Sequence, residues 1–164
     1  MIPGDGPQKE GGAISPMDDP RHIRLISRLS MDYVISIYSA ILRGSPHDPL
    51  DALILSTVAV ANVAHLSADP VLGLQYARLD QPEPIEVKRP ISRNAVALSL
   101  GMSYETARRR VEKLIAAGSL IEVDGGLVGA NENHNPQMVL AMAQQNATLL
   151  KRMVRLLREA GVEV

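Results

Sequence analysis

The sequence predicts a mainly α-helical chain, and three observations carry that prediction. Apolar residues make up 46% of the 164, yet the aromatic ones are four tyrosines with no Phe or Trp, so aliphatic side chains must build the core. Long runs free of glycine and proline open on cap-like Asp19-Pro20 and Asn135-Pro136. The clearest strand signal is one short hairpin pattern around Asp124-Gly125-Gly126. A chain of this length can stabilise one domain without metals or disulfides. It has no cysteine, which excludes thiolate catalysis, disulfides, iron–sulfur clusters and cysteine-based zinc sites, and which fits a reducing compartment.

Met1 to Pro20 carries acidic residues and several glycines but no apolar run of signal-peptide length, so residues 1–19 read as a disordered arm and the chain as cytoplasmic. Arg21 to Arg43 then runs uninterrupted to a stop at Gly44. Its apolar residues Ile23, Ile26, Tyr33, Val34, Ile37, Tyr38 and Ile41 form a stripe too wide for one neighbouring helix. After the turn cluster Ser45-Pro46-His47-Asp48-Pro49, Leu50 to Leu66 is apolar on nearly every face. Asp51, Asn62 and His65 interrupt it, and it falls short of the roughly 20 residues of a membrane span. It reads as the central helix of a soluble domain with no membrane partner. Asp69-Pro70 starts a short helix to about Ala77, Gln81-Pro82-Glu83-Pro84 forces extended chain, and Ile85 to Lys88 reads as a brief strand. Residues 20–84 are thus expected to be a helical dimerisation or support region.

From Arg89 the chain reads RPISRNAVALSLGMSYETARRRVEKLIAAGSLIEVDGGLV. Ser92 caps a short helix to Leu100, with Val96, Ala97 and Leu100 on one face. Gly101 supplies a tight turn, Met102 plugs the corner, and Ser103 caps a second helix whose inward stripe is Ala107, Val111, Leu114 and Ile115. Gly118 ends it. Strands at Leu120 to Val123 and Leu127 to Val128 follow. Helix, turn, helix and hairpin make a winged helix-turn-helix over residues 85–130, and residues 131–164 supply a last long helix.

This segment resembles the DNA-binding domain of bacterial winged helix-turn-helix transcription regulators of the MarR, GntR and catabolite-activator types. The resemblance rests on Ala97, Leu100-Gly101-Met102-Ser103, the helix Tyr104 to Ala117, and Leu114-Ile115-Ala116-Ala117-Gly118-Ser119-Leu120-Ile121. It covers about 40 residues and selects the superfamily, not a member. The layout is closest to the MarR type, whose long N- and C-terminal helices form a dimer interface. The resemblance implies a sequence-specific transcriptional regulator, and a MarR-type effector pocket whose ligand no residue identifies.

With Ala107, Val111 and Leu114 inward, helical rotation turns Tyr104, Glu105, Arg108 and Arg109 outward as base readers for the major groove, together with Glu112. Arg can pair bidentately with guanine and Glu can accept from cytosine N4. The resemblance places Glu105 and Arg109 at base-contacting positions as well. Lys88, Arg89, Arg93, Arg110 and Lys113, with the helix starts at Ser92 and Ser103, lie where phosphates would pass. Residues 88–118 hold seven Lys or Arg against Glu105 and Glu112, a local +5, in a chain of net charge −1. Taken alone, Arg108 to Arg110 reads as a solvated helix face, the commoner fate of a three-residue basic run. The hairpin tip carries no Lys or Arg, and Glu122 and Asp124 would repel phosphate.

In the last helix, running to about Ala160, Val139, Met142, Asn146, Leu149, Met153 and Leu156 alternate at spacings of three and four. With Ile37 and Ile41 they are the expected homodimer interface, the alternative being that this helix packs on its own domain. A two-fold dimer would bind a palindromic double-stranded DNA site with half-sites roughly 34 Å apart. Lys151, Arg152, Arg155 and Arg158 give the helix a basic outer face. Enzyme signatures are missing: the Gly4 to Gly12 region lacks the strand and helix of a phosphate loop, and His22, His47, His65 and His134 are scattered. No catalytic residue, metal or cofactor is expected. The competing reading is a winged-helix protein–protein interaction module that does not bind DNA.

Overall fold

A computed structural model describes residues 20–78, 83–130 and 135–164. The expected arm at 1–19, the Asp19 cap, Gln81-Pro82 and His134 lie outside the described residues. The chain is mainly helical, in the order α1 (Pro20–Gly44), α2 (Pro49–Ser67), α3 (Pro70–Gln75), α4 (Arg93–Ser99), α5 (Tyr104–Ala116), β1 (Leu120–Val123), β2 (Gly126–Gly129) and α6 (Pro136–Glu159). Its contacts divide into two units, one of residues 38–146 and the other of residues 20–37 with 147–164.

The larger unit is built on α2. Asp48 caps it by accepting from the Leu50 N–H at 2.9 Å, and Pro49 occupies the first turn, where its missing N–H costs nothing. Ile54 and Val58 from α2 join Val96, Val111, Leu114, Leu120 and Leu127 in one buried aliphatic cluster, with Met102 packed against it. The helix that sequence reading assigned to a support region therefore shares its core with the segment that follows. By length and apolar content alone α1 and α2 would each qualify to cross a bilayer, but Ile54 and Val58 of α2 are buried in this cluster, with Leu55 packed against it.

Ser92 and Ser103 cap α4 and α5 as their sequence positions indicate, accepting from Ala95 and Thr106 N–H at 3.1 and 3.2 Å. Between the two helices Gly101 takes φ +61°, a conformation that other residues adopt only with strain. Ala97 and Ala107 are both buried on the facing helices. The β1–β2 hairpin turns on Asp124 (φ +49°) and Gly125 (φ +74°), with Ile121 opposite Val128.

One expected element is absent. Residues Ile85–Val87 form a single 3-10 turn, not a strand. The extended pairing occurs later, at Ile91, whose backbone exchanges two hydrogen bonds with Leu127 (3.1 and 2.8 Å). Pro90 lies against Gly126, where a Cβ would stand only 2.6 Å from the proline Cβ, so the close approach needs glycine.

The side chain of Asn62, 1% exposed, locks this arrangement to α2. Its Nδ2 donates to the Arg89 and Leu127 carbonyls at 2.8 and 3.0 Å, and its Oδ1 accepts from the Gly129 N–H at 3.0 Å. The Asn62 carbonyl accepts from the Arg89 N–H at 3.0 Å. A buried amide is tolerated because all three side-chain bonding groups of this site are matched.

In the smaller unit, Leu29, Asp32 and Tyr33 of α1 share a narrow cleft with Leu149, Arg152, Met153 and Leu156 of α6. Leu157 and Val162 are buried, and the Val162 N–H donates to the Leu157 carbonyl at 3.0 Å beyond the helix end, with Gly161 at φ +79°.

Replacing Asn62 with Ala leaves the Arg89 carbonyl and the Gly129 N–H without this partner, while the Leu127 carbonyl keeps only its bond from the Ile91 N–H. The expected loss is about 3 kcal/mol in urea unfolding, with faster hydrogen exchange at the Gly129 amide. A loss under about 1 kcal/mol with unchanged exchange would show that the hairpin does not depend on this amide.

Candidate nucleic-acid interface

Helix α5 owes its orientation to a strict division of its faces. Ala107, Val111 and Leu114 are buried, and the opposite side presents Tyr104, Glu105, Arg109 and Glu112. Tyr104 is half exposed. The four expected base readers are thus on one accessible surface, with Arg108 more covered than its neighbours because two carboxylates enclose it. Its Nε and Nη2 donate to Glu105 at 2.9 and 2.6 Å, and its Nη1 to Glu112 at 2.5 Å. These bonds hold Glu105 below the ordinary carboxylate range and push the guanidinium further from deprotonation.

The expected phosphate contacts are distributed differently. Arg93 forms a two-pronged pair with Glu122 of β1, at 3.0 and 2.9 Å, which holds that carboxyl low and offsets the acid expected to repel DNA. The Lys88 ammonium is half-buried and donates to the Gly129 carbonyl at 3.0 Å, and burial lowers its pKa. Arg110 and Lys113 turn towards the start of α2. There Arg110 Nη1 reaches both Asp48 and Asp51 at 2.7 Å, and Lys113 Nζ reaches the other oxygen of Asp51 at 2.7 Å. Ser92 and Ser103 have their hydroxyl oxygens engaged as caps. Among the expected basic contacts, Arg89 and Arg109 are exposed and make no ion pair with any described residue.

Asp51 was legible in the sequence only as an interruption of an apolar run. It is fully buried, and burial opposes its charge, but the bonds from Lys113 and Arg110 prevail and hold its carboxyl below its ordinary value. A carboxylate inside an apolar helix signals that a cation must meet it, and the i, i+3 pair Arg110 and Lys113 is the cation set that does. The local charge of the interface is consequently far lower than the +5 of the linear segment, since Asp48, Asp51 and Glu122 come from elsewhere in the chain.

Of the expected dimer residues, Leu149, Met153 and Leu156 line the cleft with Leu29 and Tyr33 of the same chain. Ile37, Ile41, Val139 and Met142 are half-buried, with the Met142 sulfur near Gly44, and Asn146 is exposed. Part of the seam therefore packs within the chain. Large apolar residues left in the open on α1 are Ile23, Met31, Val34 and Ile35, and on α6 Leu140 and Leu150. Among the described residues, no group of three or more His, Asp or Glu is placed to hold a metal ion. No family model, curated protein or solved structure matches the chain.

Because its folded pKa is lowered, Asp51 stabilises the protein fully above its unfolded value near 3.8, and that stabilisation is lost as pH falls through the lower folded value. Asp51→Asn should cost about 2 kcal/mol at pH 7, less than a fully buried pair because both cations reach solvent. The gap between parent and variant should close below about pH 4 in urea titrations. A gap that stays constant to pH 2 would assign the loss to packing instead of charge.

Proposed function

We propose that residues 88–130, set on α2, form a winged helix whose α5 enters the DNA major groove, and that the chain acts as a homodimeric, sequence-specific transcriptional regulator. The observation that carries this reading is the exposure of the N-terminal half of α5, with Tyr104, Glu105 and Arg109 in the open. Opposite them a rigid inner face is anchored by Ala107, Val111 and Leu114. A helix set on a two-helix turn, followed by a hairpin that pairs back to the strand-like residue Ile91, supports this reading because groove insertion uses such an arrangement. Arg109 is the reader best placed to pair bidentately with a guanine, and Arg89 remains for phosphate. The exposed apolar residues of α1 support a second copy as partner.

A different reading, a protein-interaction module without DNA contact, draws support from one observation. Arg93, Arg108, Arg110 and Lys113 are already paired with carboxylates, and the hairpin tip has no cation.

Selection of bound fragments from a randomised duplex pool, followed by anisotropy titrations, separates the two. On the DNA reading, log affinity falls with log salt by about 0.9 per neutralised phosphate. Arg109→Ala should cost about 1–3 kcal/mol on the selected duplex and relax preference at one base pair. Absence of binding to any duplex at low salt would favour the interaction module.

A further inference from the structure

Arg108 is the centre of a closed set of charges on the outer side of α5. Glu105 holds it from one helical turn below and Glu112 from one turn above, through three hydrogen bonds of 2.5–2.9 Å. With Arg109 the outer face carries two positive and two negative side chains, and therefore no net attraction for a phosphate surface. Both carboxylates remain open to solvent, with side-chain exposures of 70% and 51%, so they would meet DNA before the guanidinium does. A basic helix needs no such arrangement to be soluble or folded. Its effect is to make approach to DNA costly unless the carboxylates find donors there.

Resting on the DNA reading above, we propose that Glu105 and Glu112 act through Arg108 as a selectivity latch. While the guanidinium is held between them, α5 is rejected by duplex of arbitrary sequence. With both carboxylates in place, the guanidinium is released for contact only where Glu105 finds an exocyclic amino group in the major groove. Cytosine N4 and adenine N6 are the two donors that groove offers to a carboxylate. At such a step Glu105 exchanges its two bonds from Arg108 for a base amino group, and Arg108, left with its single bond to Glu112, can turn to donate to a guanine O6 and N7 or to a phosphate. At a step showing only thymine O4 or guanine O6, the carboxylate faces another acceptor and the exchange is unfavourable. Arg108 is then a specificity residue under the control of its neighbours, and Glu112, too far along the helix to lead base reading, is a positioning residue.

The test is a double-mutant cycle in the full chain on two probes, a random-sequence duplex and the duplex best retained by the parent from a randomised pool. Glu112→Gln should tighten random-duplex binding about five- to tenfold and steepen its salt slope by about 0.9, the share of one more phosphate-contacting cation. On the selected duplex the gain should be much smaller, so discrimination falls. In an Arg108→Gln background the same Glu112→Gln change should give about twofold or less, the effect of simply removing a negative charge near phosphates. Equal gains in both backgrounds, or no gain in the parent background, would overturn the latch while leaving DNA binding intact. A parent that binds neither probe at low salt would overturn the DNA reading and the latch with it. Circular dichroism of each variant checks that α5 still forms, as expected for side chains this exposed.

Discussion

A single buried amide constrains the rest of the larger unit. Asn62 sits within the most apolar helix of the chain, and the three side-chain bonds it makes join α2, the extended residues around Arg89 and the second strand of the hairpin. Hydrophobic burial is non-directional and would permit the hairpin to slide over α2 with little loss. Hydrogen bonds to two carbonyls and one N–H permit one register only. The Ile91 to Leu127 pairing and the close approach of Pro90 to Gly126 follow from that register. They fix where α4 begins and, through the Gly101 turn, the direction in which α5 points.

Charge is organised by the same economy of partners. The buried carboxylate of Asp51 is tolerable only because Arg110 and Lys113 reach it, and in doing so those side chains tie the inner edge of α5 to the start of α2. Two residues that a linear reading assigns to phosphate thus have an architectural use. Arg93 is likewise committed, to Glu122 across the hairpin. What remains for an external ligand is a narrow set on the outer face of α5 and at Arg89. On the DNA reading proposed above, a face of that kind would rely on matching donors and acceptors more than on gross attraction.

The two long terminal helices follow a different logic. In the smaller unit Leu157 of α6 is buried, and α1 and α6 share a cleft between Leu29, Tyr33, Leu149, Met153 and Leu156, so the seven-residue pattern of α6 is partly satisfied inside one chain. Heptad spacing reports that a helix has a seam but is blind to whose helix fills it. Of the wide stripe evident on α1 in the sequence, Ile23 and Val34 stay exposed while Ile26, Tyr33, Ile37, Tyr38 and Ile41 are half-buried, and Met31 and Ile35 are exposed outside it.

What the sequence determined by itself was everything that depends on neighbours within one or two helical turns. Ser92 and Ser103 mark helix starts because the hydroxyl reaches an amide three residues on. Ala107, Val111 and Leu114 are inward because 3.6 residues per turn puts them there, and Asp124-Gly125 turns because those residues accept positive φ. Tertiary structure decided what depends on residues far apart in the chain. Ile85 to Lys88 has the alternating pattern of a strand, but among the described residues no partner strand pairs with it. Ile91 meets Leu127 instead, because Asn62 draws the chain in beside it. The charges followed the same rule: Arg110 and Lys113 are taken up by carboxylates about 60 residues distant, a pairing that local spacing does not encode.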